Sequence, residues 1–347
     1  MSYEDGLAAL RLEPTSVVPR TEYSIESHWE LVHAVTGMDT SEGADRAAAS
    51  SAFRKAWDYG FVWSINQAYK LGVTTDMGHA VYQADGSDYR PQAKCPFDDV
   101  EQVLSFDPEA VFEHPTRAEI VQRFTKQWEA QQRETPHAVV TFGIYDTMFS
   151  GLISIFGWEM LLLGAGTDAK RFGEMAGRYA RWIGRYFEAA ADVDAPAFMC
   201  HDDICWTSGP VLAPAWYREF VFPHYKRFWQ PILDSGKRLV FTSDGDYTLF
   251  FDDVVAAGAQ VLVMEPSCDM AGFAAKYGRT HGFVGNADTR ILLSGTRERI
   301  RAEVQRCMDI GKGCPGFIMA VGNHIPANTP VENALYYNEC YMKMRRR

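Results

Sequence analysis

The second half of this chain alternates short apolar runs with longer amphipathic stretches, and this alternation restricts the possible folds more than any other feature. Short apolar runs bounded by turn residues are typical of strands that are buried on both faces, and the stretches between them are long enough for helices. Repeated strand–helix units of this kind favour a parallel sheet. The strands expected from these runs span residues 138–143, 195–200, 238–242, 260–264, 281–284 and 316–321.

Two weaker strand candidates, at residues 17–23 and 73–76, raise the number of strand–helix units to about eight. Eight units close a (β/α)8 barrel, so we predict an α/β TIM barrel. An open, doubly wound sheet is the alternative, but no Gly-x-Gly-x-x-Gly motif supports its dinucleotide-binding form. We expect a single domain over residues 1–347, in which residues 1–70 form a partly irregular N-terminal extension.

Charge and hydropathy exclude several classes of protein. The 347 residues carry 34 Lys plus Arg against 45 Asp plus Glu, a formal net charge of −11, which disfavours binding to nucleic acid. We find neither a run of about 18 apolar residues nor an N-terminal signal core. The seven cysteines form no Cys-x-x-Cys pair, as expected of reduced thiols. We therefore expect a cytoplasmic protein that binds neither nucleic acid nor membrane.

Nearly every expected strand ends on an ionisable or amide residue. In TIM barrels the chemistry takes place at the carboxyl ends of the strands. Some of these residues only cap helices or form turns, but so many on one rim predict an active-site mouth. They include Asp76, His79, Tyr145, Asp146, His201, Asp202, Asp203, Asp244, Glu265, Asn286, Asn323 and His324.

Six segments carry a family resemblance. They span residues 18–29, 74–82, 201–229, 239–266, 282–304 and 316–334, and include the stretches HDDICWTSGPVLAP, LVFTSDGDY, GFVGNADTR and GFIMAVGNHIPANTP. Together they resemble the uroporphyrinogen decarboxylase superfamily, a TIM-barrel family that includes corrinoid-dependent methyltransferases. The resemblance runs along most of the chain and is specific at the level of the superfamily.

Departures from the family patterns favour the methyltransferase-like branch. The family's decarboxylases open with arginines that engage substrate carboxylates, whereas residues 19–23 here read PRTEY, one arginine beside an acid. Members that transfer methyl groups to a coenzyme thiol carry a zinc-binding His-x-Cys-Gly and a later Cys. Residues 242–245 (TSDG) and 322–324 (GNH) replace them. A thiol acceptor and a tetrapyrrole substrate are therefore both disfavoured.

The resemblance that remains implies an enzyme of the O-demethylase type. Such a methyltransferase moves a methyl group from a small methoxylated, aromatic compound to cob(I)alamin on a separate corrinoid protein. No Asp-x-His-x-x-Gly corrinoid signature occurs in this chain, so the cobalamin is expected on that partner. Three alternatives stay open: a decarboxylase of another acid, methyl transfer from a methylated amine, and a noncatalytic subunit that docks the corrinoid protein. A homodimer is an open alternative for the assembly.

The leaving group sets the expected site chemistry. The conjugate acid of a phenolate has a pKa of about 10, so expelling it near neutral pH needs a proton donor or a Lewis acid. We expect Asp244, Glu265 and His324 to be catalytic and to ligate zinc, which accepts imidazole and carboxylate ligands, with Cys268 as an alternative ligand. The expected substrate-binding residues are Asp76, His79, Tyr145, His201, Asp203, Trp206 and Asn323.

Overall fold

Parallel strands form the centre of the computed structural model, which describes residues 3–65 and 95–347. A six-stranded sheet has the order β10-β9-β8-β7-β4-β3, β1 pairs with β2 in parallel, and β5 and β6 form a small antiparallel hairpin. The strands are β1 (Phe61–Val62), β2 (Val139–Val140), β3 (Phe142–Ile144), β4 (Ala197–His201), β5 (Cys205–Trp206), β6 (Gly209–Pro210), β7 (Arg238–Thr242), β8 (Val261–Val263), β9 (Gly282–Ala287) and β10 (Phe317–Val321).

The N-terminal segment closes this sheet into a barrel. One residue separates β2 from β3, so β1 is joined to the main sheet through them. On the other side, Arg20 forms a parallel bridge with Met319 of β10, and the Gly60 N–H donates to the Arg20 carbonyl at 3.0 Å. Residues 17–23 thus lie between β10 and β1 as the remaining strand. The predicted (β/α)8 barrel is confirmed, and the open doubly wound sheet is wrong.

The apolar runs located most of the strands. All six runs of the strand prediction overlap an observed strand, and β7 has the predicted bounds. The second barrel strand, β1, was missed because two residues are too few for a recognisable pattern. The strand predicted at 73–76 lies outside the described residues. The described residues of the segment expected to be a partly irregular extension, 3–65, contribute two barrel strands and three α-helices.

Helices cover the outside of the barrel. The stretch after Pro214 forms two helices and not one, because Pro223 lacks the N–H that a continuous helix would need. The helices are α1 (Tyr3–Leu10), α2 (Trp29–Thr36), α3 (Arg46–Ala56), α4 (Val100–Leu104), α5 (Pro108–Val111), α6 (Arg117–Glu134), α7 (Phe149–Thr167), α8 (Ala169–Ala190), α9 (Pro214–Phe220), α10 (Phe222–Asp234), α11 (Phe251–Ala257), α12 (Met270–Tyr277), α13 (Thr289–Ser294), α14 (Arg297–Gly311) and α15 (Val331–Met344).

The barrel has an inner and an outer layer because side chains alternate along each strand. In β4, Ala197 and Met199 point inward, whereas Phe198 and Cys200 pack against the helices. Helix α1 closes the amino-terminal end, where the side chain of Arg238, the first residue of β7, donates to the Leu10 carbonyl at 2.6 Å. The other end of the barrel is where the chain can build a site.

Helix α7 corrects one expectation from hydropathy. Among the described helices it alone is long and apolar enough to cross a membrane by length and composition, although the sequence was expected to contain no such run. Of its most apolar stretch, 67% is buried inside the protein. Buried core helices of folded proteins can be equally long and apolar, so the length and composition of α7 are weak evidence that it spans a membrane.

Candidate active site

The pleat of the strands determines which side chains reach the mouth. Residues that continue the inward-facing register past the end of a strand point into the carboxyl end of the barrel. In β4 and β7 this register reaches His201 and Asp244, and in β8 it reaches Glu265. These side chains meet in one pocket, which is lined by Tyr23, Tyr145, His201, Thr242, Ser243, Asp244, Val263, Glu265, Gly322, Asn323 and His324.

A histidine–aspartate pair occupies one side of this pocket. The Nε2 atom of His201 lies 2.8 Å from Oδ1 of Asp203, and the Tyr145 hydroxyl donates to Oδ2 of the same carboxylate at 3.1 Å. The Asp244 backbone N–H donates to Asp203 Oδ1 at 3.0 Å. Three donors from three strand ends thus hold the Asp203 carboxylate in one orientation.

The charges of this pair stabilise each other. Burial lowers the pKa of His201, but the charge of Asp203 and its hydrogen bond, together with Asp244 and Asp202, outweigh burial and raise that pKa to about 9. For Asp203, burial alone would raise the pKa. The neighbouring His201 and the hydrogen bonds outweigh burial and keep the pKa of Asp203 below its ordinary value. In the absence of any other cation, His201 is therefore protonated at neutral pH.

Of the two adjacent aspartates, Asp203 contacts the pocket residues His201 and Tyr145, whereas Asp202 faces the helices. Asp202 is fully buried and accepts the Ser150 N–H at 2.6 Å and the Tyr225 hydroxyl. The Asp203 N–H in turn donates to Ser150 Oγ at 2.7 Å. Asp202 therefore ties the end of β4 to the start of α7 and fixes the backbone that carries Asp203.

A glycine turn places Asp244 beside this pair. Gly245 has a φ of +79°, and a Cβ atom there would lie 2.4 Å from the Trp206 backbone. The Asp246 N–H also donates to the Trp206 carbonyl at 2.9 Å. The turn after β7 can therefore pack against the β5–β6 hairpin only with glycine at this position.

Glu265 is held in the same pocket by donors that follow two other strands. Its carboxylate accepts hydrogen bonds from the Asn323 amide and from the Gly245 backbone N–H. Its backbone carbonyl accepts from Asn286 Nδ2 at 3.1 Å, and Arg306 Nη2 donates to Asn286 Oδ1 at 2.9 Å. Burial raises the pKa of the Glu265 carboxyl group, so this group binds a proton more readily than an exposed glutamate does.

His324 completes the pocket from the last strand. Its Nδ1 atom lies 2.5 Å from Ser24 Oγ, and its backbone pairs with Tyr23 of the first strand. The Tyr23 ring stacks on Trp63 with centroids 4.2 Å apart. Neither Tyr23 nor Ser24 was among the predicted site residues, although Tyr23 ends the first strand in the inward-facing register.

The donor groups in the pocket fit a divalent cation. The ligand atoms of His201, Asp203 and Asp244 all lie within 4.8 Å of one another. This group shares only Asp244 with the predicted zinc ligands, although Glu265 and His324 line the same pocket. Cys268 is a poor ligand here, because burial raises its thiol pKa to about 12 and Sγ donates to the Gly245 carbonyl.

The remaining predicted residues fall into three groups. Asp76 and His79 lie outside the described residues. Trp206 does not line the pocket; it lies on the β5–β6 hairpin, is 46% exposed, and has its ring 5.5 Å from Trp158. Asp146 is buried behind the barrel wall, where Ser154 Oγ donates to its carboxylate at 2.8 Å.

Arg20, the arginine of the opening segment, does not reach the pocket. It is fully buried and forms an ion pair of 2.6 Å with Glu22, which is also fully buried. Side chains alternate along the first strand, so Arg20 and Glu22 face outward toward the helices, whereas Tyr23 faces the inside of the barrel. An arginine in this position closes the barrel and cannot contact a substrate carboxylate at the mouth.

Comparison with known proteins places the chain in a family. The sequence profile of the family described as Uroporphyrinogen decarboxylase (URO-D) matches residues 49–343. The chain belongs to the uroporphyrinogen decarboxylase family. It is 26% identical over 269 residues to a uroporphyrinogen decarboxylase from Syntrophotalea carbinolica, covering 72% of this chain and 76% of that protein. A uroporphyrinogen decarboxylase from Thermus thermophilus is 32% identical over 157 residues, 45% of this chain and 44% of that protein.

A solved structure shows the same fold. The barrel of this URO-D family member superposes on a methyltransferase from Methanosarcina mazei with a TM-score of 0.66, covering 99% of both chains at 16% sequence identity. The predicted superfamily and the TIM barrel are thus both confirmed, and the family is one of enzymes. At this level of identity the comparison shows the fold alone.

Proposed function

We propose that the chain is a methyltransferase that moves a methyl group from a small methoxylated, aromatic compound to cob(I)alamin carried by a separate corrinoid protein. One observation carries this proposal: the described part of the pocket is lined by carboxylates, imidazoles and tyrosines and includes no Lys or Arg. Family membership and the fold shared with a methyltransferase are consistent with it.

The same lining disfavours a polyanionic substrate. Carboxylates of a tetrapyrrole need cationic partners, and bidentate arginines serve best. Arg20 forms a buried ion pair with Glu22 and does not line the pocket, whereas two carboxylates, Asp244 and Glu265, do. The names of the curated relatives favour decarboxylation as the second candidate, so this activity must be measured in parallel.

The pocket residues meet the needs of methyl-ether cleavage. When the methyl–oxygen bond breaks, its electron pair passes to the oxygen, which must then gain a proton or a cationic partner. Glu265 has a raised pKa and is oriented by Asn323, so we assign it as the proton donor to the leaving oxygen. His324 and Asn323 lie next to it and are assigned to hold the donor molecule. A zinc ion in the mouth would supply Lewis-acid activation of the same oxygen.

The decisive experiment mixes the purified chain with chemically reduced cob(I)alamin and separate pools of methoxyaromatics and methylamines. Formation of methylcobalamin, followed in the visible spectrum against a no-enzyme control, is the expected result with methoxyaromatics. Methylcobalamin formed only with the amine pool would show that the methyl donor is a methylated amine and not a methoxyaromatic compound. No change in the visible spectrum, even with the corrinoid partner present, would refute methyl transfer. Release of CO2 from uroporphyrinogen by the same protein would establish the decarboxylase alternative.

A matched pair of variants connects this activity to the pocket. Glu265→Gln is expected to lower kcat/KM by about 10²–10⁴-fold, the usual contribution of a general acid. Glu332→Gln, the same substitution at an exposed position of α15, is the control and is expected to leave kcat/KM unchanged. Equal activity of the two variants would exclude Glu265 as the proton donor.

A further inference from the structure

We propose that His201, Asp203 and Asp244 bind a divalent transition-metal cation, with zinc as the best match to the donor set. This ligand group differs from Asp244, Glu265 and His324, the group expected from the strand ends. The chemical role of the cation, activation of the leaving oxygen, rests on the proposed function. Its binding does not, and can be measured without any turnover.

The first support is the convergence of the three donor groups. Their ligand atoms lie within 4.8 Å of one another at the ends of two hydrogen-bonded strands, β4 and β7. One imidazole and two carboxylates suit zinc and related cations, and three protein ligands leave positions open for a substrate.

The second support is that main-chain hydrogen bonds hold the donors in place. The Asp202 N–H donates to the Thr242 carbonyl at 3.0 Å, which continues the pairing of β4 with β7 past the strand ends. The Asp244 N–H donates to Asp203 Oδ1 at 3.0 Å. Because the backbone fixes these positions, a cation would meet a site that needs little further ordering.

The third support is an unpartnered ring nitrogen. His201 is 8% exposed, and its Nδ1 atom is buried and has no hydrogen-bond partner in the part of the chain that the structure describes. Its Nε2 atom contacts Asp203. A metal-bound histidine commonly bonds its second nitrogen to a carboxylate. Ligation through either nitrogen would therefore cost His201 at most one hydrogen bond.

The fourth support is charge. With a neutral imidazole the three groups carry two negative charges, and no Lys or Arg is found among the described pocket residues to balance them. A divalent cation would compensate both charges. Side chains of both ligand sets accept hydrogen bonds, but among the described residues only His201, Asp203 and Asp244 bring their ligand atoms within 4.8 Å of one another.

Calorimetric titration of the chelator-treated, full-length protein with Zn²⁺ alone tests the proposal. We expect one equivalent to bind, and Co²⁺ to give a visible absorption band of low-symmetry coordination that Zn²⁺ displaces. Asp203→Asn and Asp244→Asn are expected to weaken Zn²⁺ binding by more than about 100-fold, since loss even of a residue behind the ligands costs 10–100-fold. Glu265→Gln and His324→Gln are the matched controls from the same pocket and should retain the affinity.

Each outcome has a definite meaning. Failure of the unaltered protein to bind Zn²⁺, or loss of binding in the Glu265→Gln and His324→Gln variants with retention in Asp203→Asn, overturns the proposal. Asp244 is exposed, so Asp244→Asn keeps the test valid if Asp203→Asn fails to fold, as judged by the melting temperature of the metal-free variants. Binding without methyl transfer supports the cation site and refutes the proposed function. Methyl transfer by the metal-free protein supports the proposed function and refutes the activating role of the cation, whereas the cation site itself is decided by the Zn²⁺ titration.

Discussion

Replacing Arg20 by methionine is expected to destabilise the barrel without changing the chemistry of the pocket. The guanidinium group is fully buried and donates to Glu22 at 2.6 Å and to Asn338 at 2.5 Å. It also lies 4.5 Å from the ring centroids of Trp57 and Tyr341. These contacts join the first strand to α15 and to Trp57, the residue directly after α3, so their loss acts on the closure of the barrel.

The size of the effect follows from what Arg20→Met leaves behind. The Glu22 carboxylate stays buried, with the Tyr337 hydroxyl at 2.8 Å and the Val321 N–H at 2.9 Å as its remaining donors. Removing one member of a buried ion pair costs about 3–5 kcal/mol, mainly because the other charge is left without a partner. We therefore expect the free energy of unfolding to fall by about 3–5 kcal/mol at pH 7.

Urea unfolding followed by circular dichroism measures this loss. Arg299→Met, at an exposed position of α14, is the matched control and should change the free energy of unfolding by less than about 0.5 kcal/mol. Adding Glu22→Gln should restore part of the stability lost in Arg20→Met, because the amide keeps an acceptor oxygen without the charge.

The pH dependence of this loss follows from the protonation of Glu22. Burial raises the pKa of Glu22, so this carboxyl group contributes stability at low pH that is lost as the pH rises. The difference in the free energy of unfolding between Arg20→Met and the unaltered protein should therefore decrease on acidification.

The reasoning is refuted if Arg20→Met costs less than about 1 kcal/mol, the level of an ordinary substitution. A variant of unchanged stability that lost turnover of an anionic substrate would show instead that Arg20 reaches the substrate. That result would favour the decarboxylase alternative. Zn²⁺ titration of the same variant should match the unaltered protein, because Arg20 is not among the residues of the pocket.

Three further predictions concern the support of the site. Tyr225→Phe removes a hydroxyl donor from a buried aspartate and is expected to lower the free energy of unfolding by about 1–3 kcal/mol in urea titrations; an unchanged value would contradict it. Gly245→Ala should lower the melting temperature and weaken Zn²⁺ binding, whereas Gly313→Ala, where nothing lies within 4 Å of the new methyl group, should do neither. Burial raises the pKa of Asp146 to about 6, so its contribution to stability is present below pH 3.8 and is lost as the pH rises through 6. The melting temperature of Asp146→Asn should accordingly fall less than that of the unaltered protein between pH 4 and pH 7.

The strand ends of the second half could be located from the sequence because local pattern controls them. A buried parallel strand needs a continuous apolar run, and the residue after the run lies at the mouth of the barrel. His201, Asp244 and Glu265 were found in this way, and the structure places all three in one pocket. The same reasoning missed β1, whose two residues carry no pattern, and Tyr23, which ends an irregular first strand.

Local pattern could not assign roles to neighbouring polar residues. Asp203 and not Asp202 was expected to bind substrate, but the strand pattern gave no contact that distinguishes them. In the structure Asp203 contacts His201, whereas Asp202 points to the helices, where Tyr225 donates to it. Trp206 follows the same strand, yet the β5–β6 hairpin carries it out to the rim, 46% exposed. A hairpin of this size depends on contacts with the turn at Gly245 and could not be inferred from its own residues.

The sequence by itself determined the barrel, the family and the acidic character of the mouth, because apolar periodicity and strand-end residues are local properties of the chain. Only the tertiary structure decided which of those residues act together. His324 is engaged by Ser24, 300 positions away in the chain, and Glu265 by Asn323, 58 positions away. His201, Asp203 and Asp244 meet because β4 and β7 pair in one register. Side-chain partners and lateral register depend on how distant strands pack around the barrel, which no local pattern encodes.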